Sequence, residues 1–192
     1  MTVQRETILS HALNQLEQLG LSASTESLLR EIAPDMETIR KFWPDDEALI
    51  YDCLRYHSQQ IEIWQRQVLL DDSLNPQQKL LARYQQLYKR VTENRFPGCL
   101  FISACNHYPS AQHPIHQLSS LQKHNSFQFT KSLLDELDIE DSQLVAKQLE
   151  LVLEGCLSKL LVQRNIEDVE TALQLAEDIL TIALCRNQGA LS

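Results

Sequence analysis

The stretch that decides the fold is Ser24-Thr25-Glu26-Ser27-Leu28-Leu29-Arg30-Glu31-Ile32-Ala33-Pro34-Asp35-Met36-Glu37-Thr38-Ile39-Arg40-Lys41-Phe42-Trp43-Pro44. Ser22, Ser24 and Thr25 each offer a capping hydroxyl ahead of a short apolar group, Leu28, Leu29 and Ile32, which predicts a short helix. Pro34 ends it, because its ring and missing N–H stop a helix interior. Asp35 is placed to cap a third helix over 36–43, which Pro44 stops in turn. Upstream, Ile8, Ala12, Leu13, Leu16 and Leu19 recur at three- and four-residue steps. They predict a helix over 3–19 with Gly20 at its C-cap. Three helices within fifty residues, the last two joined by a tight turn, have the layout of a helix-turn-helix.

Downstream, Asp45 caps a long helix over 46–70 that carries Leu49, Cys53, Tyr56, Gln60 and Trp64 on or near one stripe. Asp71-Asp72-Ser73-Leu74-Asn75-Pro76 reads as a loop. The next helix, 76–93, turns Leu80, Leu81, Tyr84, Leu87, Tyr88 and Val91 inward, and Phe96-Pro97-Gly98 breaks it. The apolar run 99–104 is a buried strand or a helix; periodicity alone does not separate the two. After a loop over 109–114 no further proline occurs, and helices are expected over 115–137, 141–163 and 166–184. No aromatic residue follows Phe129. Gly155, Ala172, Ala176 and Ala183 allow helices to approach closely. They form either a dimer seam or the protomer's own core.

The balance of residues limits the function classes. The chain has 192 residues, 43% of them hydrophobic, enough for a substantial core and incompatible with wholesale disorder. Six prolines and four glycines are too few for a barrel or sandwich of short strands, so the fold class is all-α. No apolar run is long enough to span a membrane, and no secretory signal is expected at the start. Five cysteines, an odd number with no C-x-x-C pair, suit a reducing cytoplasm. A net charge of −9 argues against non-specific polyanion binding.

Arg5-Glu6-x-Ile8-Leu9-x-x-Ala12-Leu13, Leu19-Gly20, Leu28-x-x-x-Ile32 and Ile39-Arg40-Lys41-Phe42-Trp43-Pro44-x-x-Glu47-Ala48-Leu49 together resemble the TetR/AcrR-type transcriptional regulators. Phe96-Pro97-Gly98-Cys99-Leu100-Phe101, His113-Pro114 and Leu153-Glu154-Gly155-Cys156 resemble landmarks of the effector domain in one branch of that family. The resemblance implies a helix-turn-helix domain over 1–50 that binds double-stranded DNA. It implies a helical domain over 51–192 that dimerises and binds a small-molecule effector. The whole would be a cytoplasmic homodimeric repressor on a palindromic operator, with no enzymatic activity, cofactor or membrane association. The chain departs from the family pattern at three places. Ala33-Pro34 replaces the usual turn glycine, Asp35-Met36-Glu37 opens the recognition helix in place of a small or polar residue and a lysine, and Asp46 replaces a lysine. Residues 1–50 hold four basic residues against nine acidic ones, a net of −5 and an unfavourable field for DNA.

On that resemblance the DNA-binding candidates are Met36, Glu37, Thr38, Arg40 and Lys41. Thr38 and Arg40 would reach base edges or phosphates, Lys41 a backbone phosphate, and Met36 a thymine methyl. The plainer reading is that Arg40 and Lys41 neutralise Asp35 and Glu37 along the same helix. The amino end of the helix over 46–70 offers N–H groups to a phosphate, against the opposition of its own carboxylates. Trp64, Tyr84, Tyr88, Phe101, His107 and Phe127 are the candidate effector-pocket residues, and they are equally well ordinary core. Cys99, Cys105, His107, His113, His116 and His124 suggest a metal or thiol sensor, but their spacing is not that of a ligand set and Pro114 separates His113 from His116. Cys105 with His107 lacks the arrangement of a nucleophile and base. The alternative function is a helical dimeric module that binds a ligand or a protein and has lost or weakened its DNA binding, for which the acidic first fifty residues are the evidence.

Overall fold

The computed structural model describes residues 2–32, 35–95 and 98–187. Helix α1 (Thr2–Leu19) ends where Gly20 takes φ +81°, a left-handed conformation that glycine adopts without a Cβ penalty, and the Gly20 N–H closes on the Leu16 carbonyl at 2.9 Å. Of the three candidate caps Ser22, Ser24 and Thr25, Ser24 is the one used. Its hydroxyl accepts from the Ser27 N–H at the start of α2 (Thr25–Leu28), and a single 3₁₀ turn, Arg30–Ile32, follows. Asp35 caps α3 (Met36–Phe42), accepting from the N–H groups of Glu37 and Thr38. The expected turn at Ala33-Pro34 lies outside the described residues.

Helix α4 (Asp46–Leu70) and α5 (Pro76–Thr92) have the expected extents. A reciprocal Asn75–Gln78 capping box and a proline at the first position start α5, because both spare orphan backbone donors. The ambiguous run becomes α6 (Leu100–His107), a helix, with Leu100, Phe101 and Ala104 buried at helical spacing. Of the breaker Phe96-Pro97-Gly98, only Gly98 is among the described residues. Then come α7 (Pro114–Asp135), α8 (Ser142–Val162) and α9 (Ile166–Asn187). The protein is all-α, with no strand among the described residues. None of these helices is long and apolar enough to cross a membrane.

The chain divides into two compact units. The first is Met1–Ile63 with Leu100–Lys123, and the second is Trp64–Cys99 with His124–Ser192. In the first, Leu16, Leu28, Leu29, Ile39, Trp43 and Leu54 are almost wholly buried, each removing apolar surface at about 25 cal/mol per Å². The second has its core where α5 and α8 pack on α9, around Leu87, Leu133, Leu134, Ala146, Leu160 and Ala176.

Tyr88 and Gln60 need correction as inward positions, and burial decides between the two alternatives for the alanines. Ala172, Ala176 and Ala183 are buried in the second unit's own core, so they are not an open seam. Tyr88 is 43% exposed, because Tyr84, Leu87 and Val91 already fill the inward arc of α5. Gln60 is exposed, while Ser58 takes the inward position nearby and donates to Gln122 of α7 at 2.6 Å. Gly155 lies on the open side of α8, with no atom near the place of a Cβ.

Candidate nucleic-acid interface

Helix α3 is anchored by one side and offered by the other. Ile39 is buried and Met36 half-buried, whereas Glu37, Thr38, Arg40 and Lys41 are exposed, as is Phe42. Trp43, the C-cap residue, is the hinge pin: its indole is 1% exposed and its Nε1 donates to Asp52 Oδ2 at 2.8 Å. Asp52, on α4, also pairs with Arg5 of α1 and, at 3.2 Å, with Arg55. The Arg5 guanidinium lies over the Trp43 ring, 5.6 Å from its centroid. One buried carboxylate therefore joins α1, the end of α3 and α4.

Thr38, Arg40 and Lys41, on the exposed side of α3, each have a carboxylate partner. Thr38 Oγ1 donates to Asp35 at 2.5 Å, and that hydroxyl together with the Glu37 and Thr38 N–H groups holds the Asp35 carboxyl below its ordinary range. Lys41 pairs with Glu37 at 3.4 Å. Arg40 pairs with Glu26 of α2 at 2.6 Å, not with Asp35, whose oxygens are engaged in capping. Glu26 and Asp52 were not among the sequence candidates. Glu26 is 14 residues from Arg40, and Asp52 is 9 from Trp43 and 47 from Arg5, beyond the reach of helical spacing, so no local signal links them to α3 or α1.

The start of α4 is similarly occupied. Asp45 accepts from the Ala48 N–H at 2.8 Å, and Asp46 accepts from the Thr25 N–H and hydroxyl at 2.8 and 2.7 Å. Those two Thr25 donors hold the Asp46 carboxyl below its ordinary range. Glu47 faces the His113 ring at 3.3 Å. Asp45 thus takes one of the free N–H groups that a phosphate would use at this helix end, and Asp46 and Glu47 add negative charge beside it.

The effector candidates are divided between the two units. Trp64, Tyr84, Tyr88 and Phe127 belong to the second unit, and Phe101 and His107 to the first. Trp64 lies 6.4 Å from Phe129 by ring centroids. Tyr84 is buried, its hydroxyl donating to the Leu149 carbonyl at 3.4 Å, and burial pushes its ionisation well above the usual range. Phe101 stacks on His57 at 5.3 Å, and His107 is exposed, edge-on to Tyr108. Beside Tyr84 the sequence reading missed a buried polar cluster. Arg83 donates to Thr130 and Ser126, both at 2.8 Å, and to both oxygens of Glu150, which also accepts from Thr130 at 2.9 Å.

The cysteines and histidines are employed otherwise than in a ligand set. His116 Nδ1 meets the Tyr108 carbonyl at 2.8 Å, and His113 stacks on Tyr108 at 4.4 Å. Among the described residues no three His, Cys, Asp or Glu side chains converge as a metal site. On the outer sides of α8 and α9, Leu144, Leu151, Val162, Leu175 and Ile182 are exposed, at seven- and eleven-residue steps within each helix. A groove lined by Leu144, Gln148, Ile179, Ile182 and Arg186 runs along them, and none of the six effector candidates lines it.

No family model matches the chain. It is 52% identical over 191 residues to the HTH-type transcriptional regulator YjdC of Escherichia coli K12, covering 99% of this chain and all of that one; the Shigella flexneri protein of the same name matches equally. A TetR-family transcriptional regulator from Streptomyces coelicolor superposes with a TM-score of 0.83 at 19% identity, over 94% of this chain and 95% of that one. A TetR regulator from Legionella pneumophila gives 0.79 at 19%, over 89% and 94%. Reduced Escherichia coli NemR gives 0.74 at 17%, over 90% and 96%.

Proposed function

The chain belongs to the TetR-type helix-turn-helix transcriptional regulators, and from that membership we propose that it is a cytoplasmic repressor that binds a palindromic operator as a homodimer and is released by a small effector. The observation that carries this reading is α3 itself: a short helix anchored by Ile39 and Trp43, with Thr38, Arg40 and Lys41 on its exposed side. Residues 1–50 are the DNA-binding domain and 51–192 the effector-binding and dimerisation domain. Two copies of α3 enter successive major grooves roughly 34 Å apart or a multiple of that. Arg40 and Thr38 reach base edges, Lys41 grips a phosphate, and Met36 and Glu37 lie against the groove at the amino end. The second copy covers the exposed leucines and isoleucine of α8 and α9. The effector enters among Trp64, Tyr84 and Phe127 of the second unit and biases a two-state dimer away from the operator-competent form.

Selection of bound fragments from a random duplex library at two salt concentrations tests this reading. An enriched inverted repeat, lost in the Arg40→Ala/Lys41→Ala double variant at unchanged thermal stability, supports it. No enrichment at the lower salt overturns it. The second reading, a ligand- or protein-binding dimer with little DNA affinity, is favoured by one observation: the pairing of Arg40 and Lys41 with Glu26 and Glu37. That reading leads to the negative result.

A further inference from the structure

Glu26 sits in the first turn of α2, and its carboxylate holds Arg40 of α3 at 2.6 Å while both side chains remain more than half exposed. An exposed ion pair of this kind adds little to folding, so its main consequence is for what Arg40 can bind. The residue before Glu26 is fixed, since the Thr25 N–H and hydroxyl are both bonded to Asp46. Asp46 is in turn close enough for the charge of Arg40 to act on its carboxyl. The guanidinium is thus held by Glu26 from an anchored backbone, with one of its terminal nitrogens engaged and the rest of its donor fork available.

We infer that Glu26 is a specificity-determining positioning residue, which neutralises Arg40 and orients it to read a guanine edge in place of clamping a phosphate. The inference rests on the DNA-binding reading above. Attraction to phosphate is Coulombic, and an arginine already paired with a carboxylate gains little from a polyanion, while the carboxylate itself repels one. The O6 and N7 acceptors of guanine are neutral, and a planar fork in a fixed orientation reaches both. Pairing therefore lowers sequence-independent affinity and keeps base readout. With four basic residues against nine acidic ones in residues 1–50, Arg40 and Lys41 are the two cations on α3, and Glu26 governs how the first of them is used.

The experiment uses the full chain, the selected operator duplex, and duplexes changed at each base pair of one half-site. The base pair whose preference disappears in Arg40→Ala is the one read by Arg40. In Glu26→Gln, which keeps the side chain's shape and removes its charge, discrimination at that base pair is expected to fall by about tenfold. The slope of log affinity against log salt steepens by about one, because Arg40 becomes a phosphate contact. A merely structural role for Glu26 would leave the salt slope alone. If Glu26→Gln keeps both the discrimination and the slope, the inference is wrong while the DNA-binding reading stands. If the wild-type protein enriches no duplex, both are overturned.

Discussion

The indole N–H of Trp43 donates to the Asp52 carboxylate at 2.8 Å, joining the last residue of the α3 cap to the second turn of α4. The bond is buried, and the same carboxylate takes the guanidinium of Arg5. The direction in which α3 projects therefore depends on a group outside α3.

Asp52→Ala leaves a buried indole N–H without an acceptor and frees two arginines. A loss of about 2 kcal/mol is expected in urea unfolding, less than for a fully buried pair because Arg5 is half exposed. Trp43→Phe removes only the donor and should cost about 1 kcal/mol from the lost bond, plus the smaller ring volume. Operator affinity, measured by fluorescence anisotropy, should fall in both although both residues are buried.

Arg83 and Glu150 are 15% and 10% exposed and joined through two oxygens. Glu150→Gln strands a buried guanidinium and is expected to cost about 3 kcal/mol. The double change Arg83→Met/Glu150→Leu removes both charges and should recover most of that loss, since paired burial of charge is close to neutral against apolar packing. A double change no more stable than Glu150→Gln would show that the network is held by more than its charges.

Thiol chemistry separates the five cysteines. Burial, aided by the Asp52 charge, pushes Cys53 up to about 12, and burial with Asp168 pushes Cys156 up to about 11. Cys99, Cys105 and Cys185 are only half-buried. Native protein treated with iodoacetamide near pH 8 should carry label at those three, with Cys53 and Cys156 modified only in urea, as read by peptide mass spectrometry.

The carboxyl of Asp46 is depressed in the folded chain by the Thr25 N–H first and the Thr25 hydroxyl second. A group depressed on folding contributes stability that is present above its unfolded value, about 3.9, and is lost as pH falls through the folded value. Asp46→Asn should therefore melt lower than wild type at pH 7, by about 1 kcal/mol after allowance for exposure. The two should converge as pH falls below about 4. Thermal melts across that range give the comparison.

Against these results, the helices were legible because their signals are local. Asp35 caps α3, Ser24 caps α2, Gly20 ends α1 and Pro76 opens α5, each through bonds made within four residues or through a single backbone angle. Arg40 and Lys41 were legible as the cations of α3, and the Glu37–Lys41 pair as a helical spacing. The strand-or-helix question at 99–104 was not, since a short apolar run satisfies both periods.

By itself, then, the sequence determined the element order, the all-α class and the position of α3, because capping, helical periodicity and proline breaks act between near neighbours. Only the tertiary structure decided the partners. Glu26 meets Arg40 across 14 residues, Asp52 meets Trp43 across 9, and Glu150 meets Arg83 across 67. It also decided that Ala172, Ala176 and Ala183 pack inside their own unit while Gly155 stays open. The physical reason is the same in each case. A side chain's charge and size are written in the chain, but what compensates that charge or fills that space comes from another helix, whose approach no local pattern encodes.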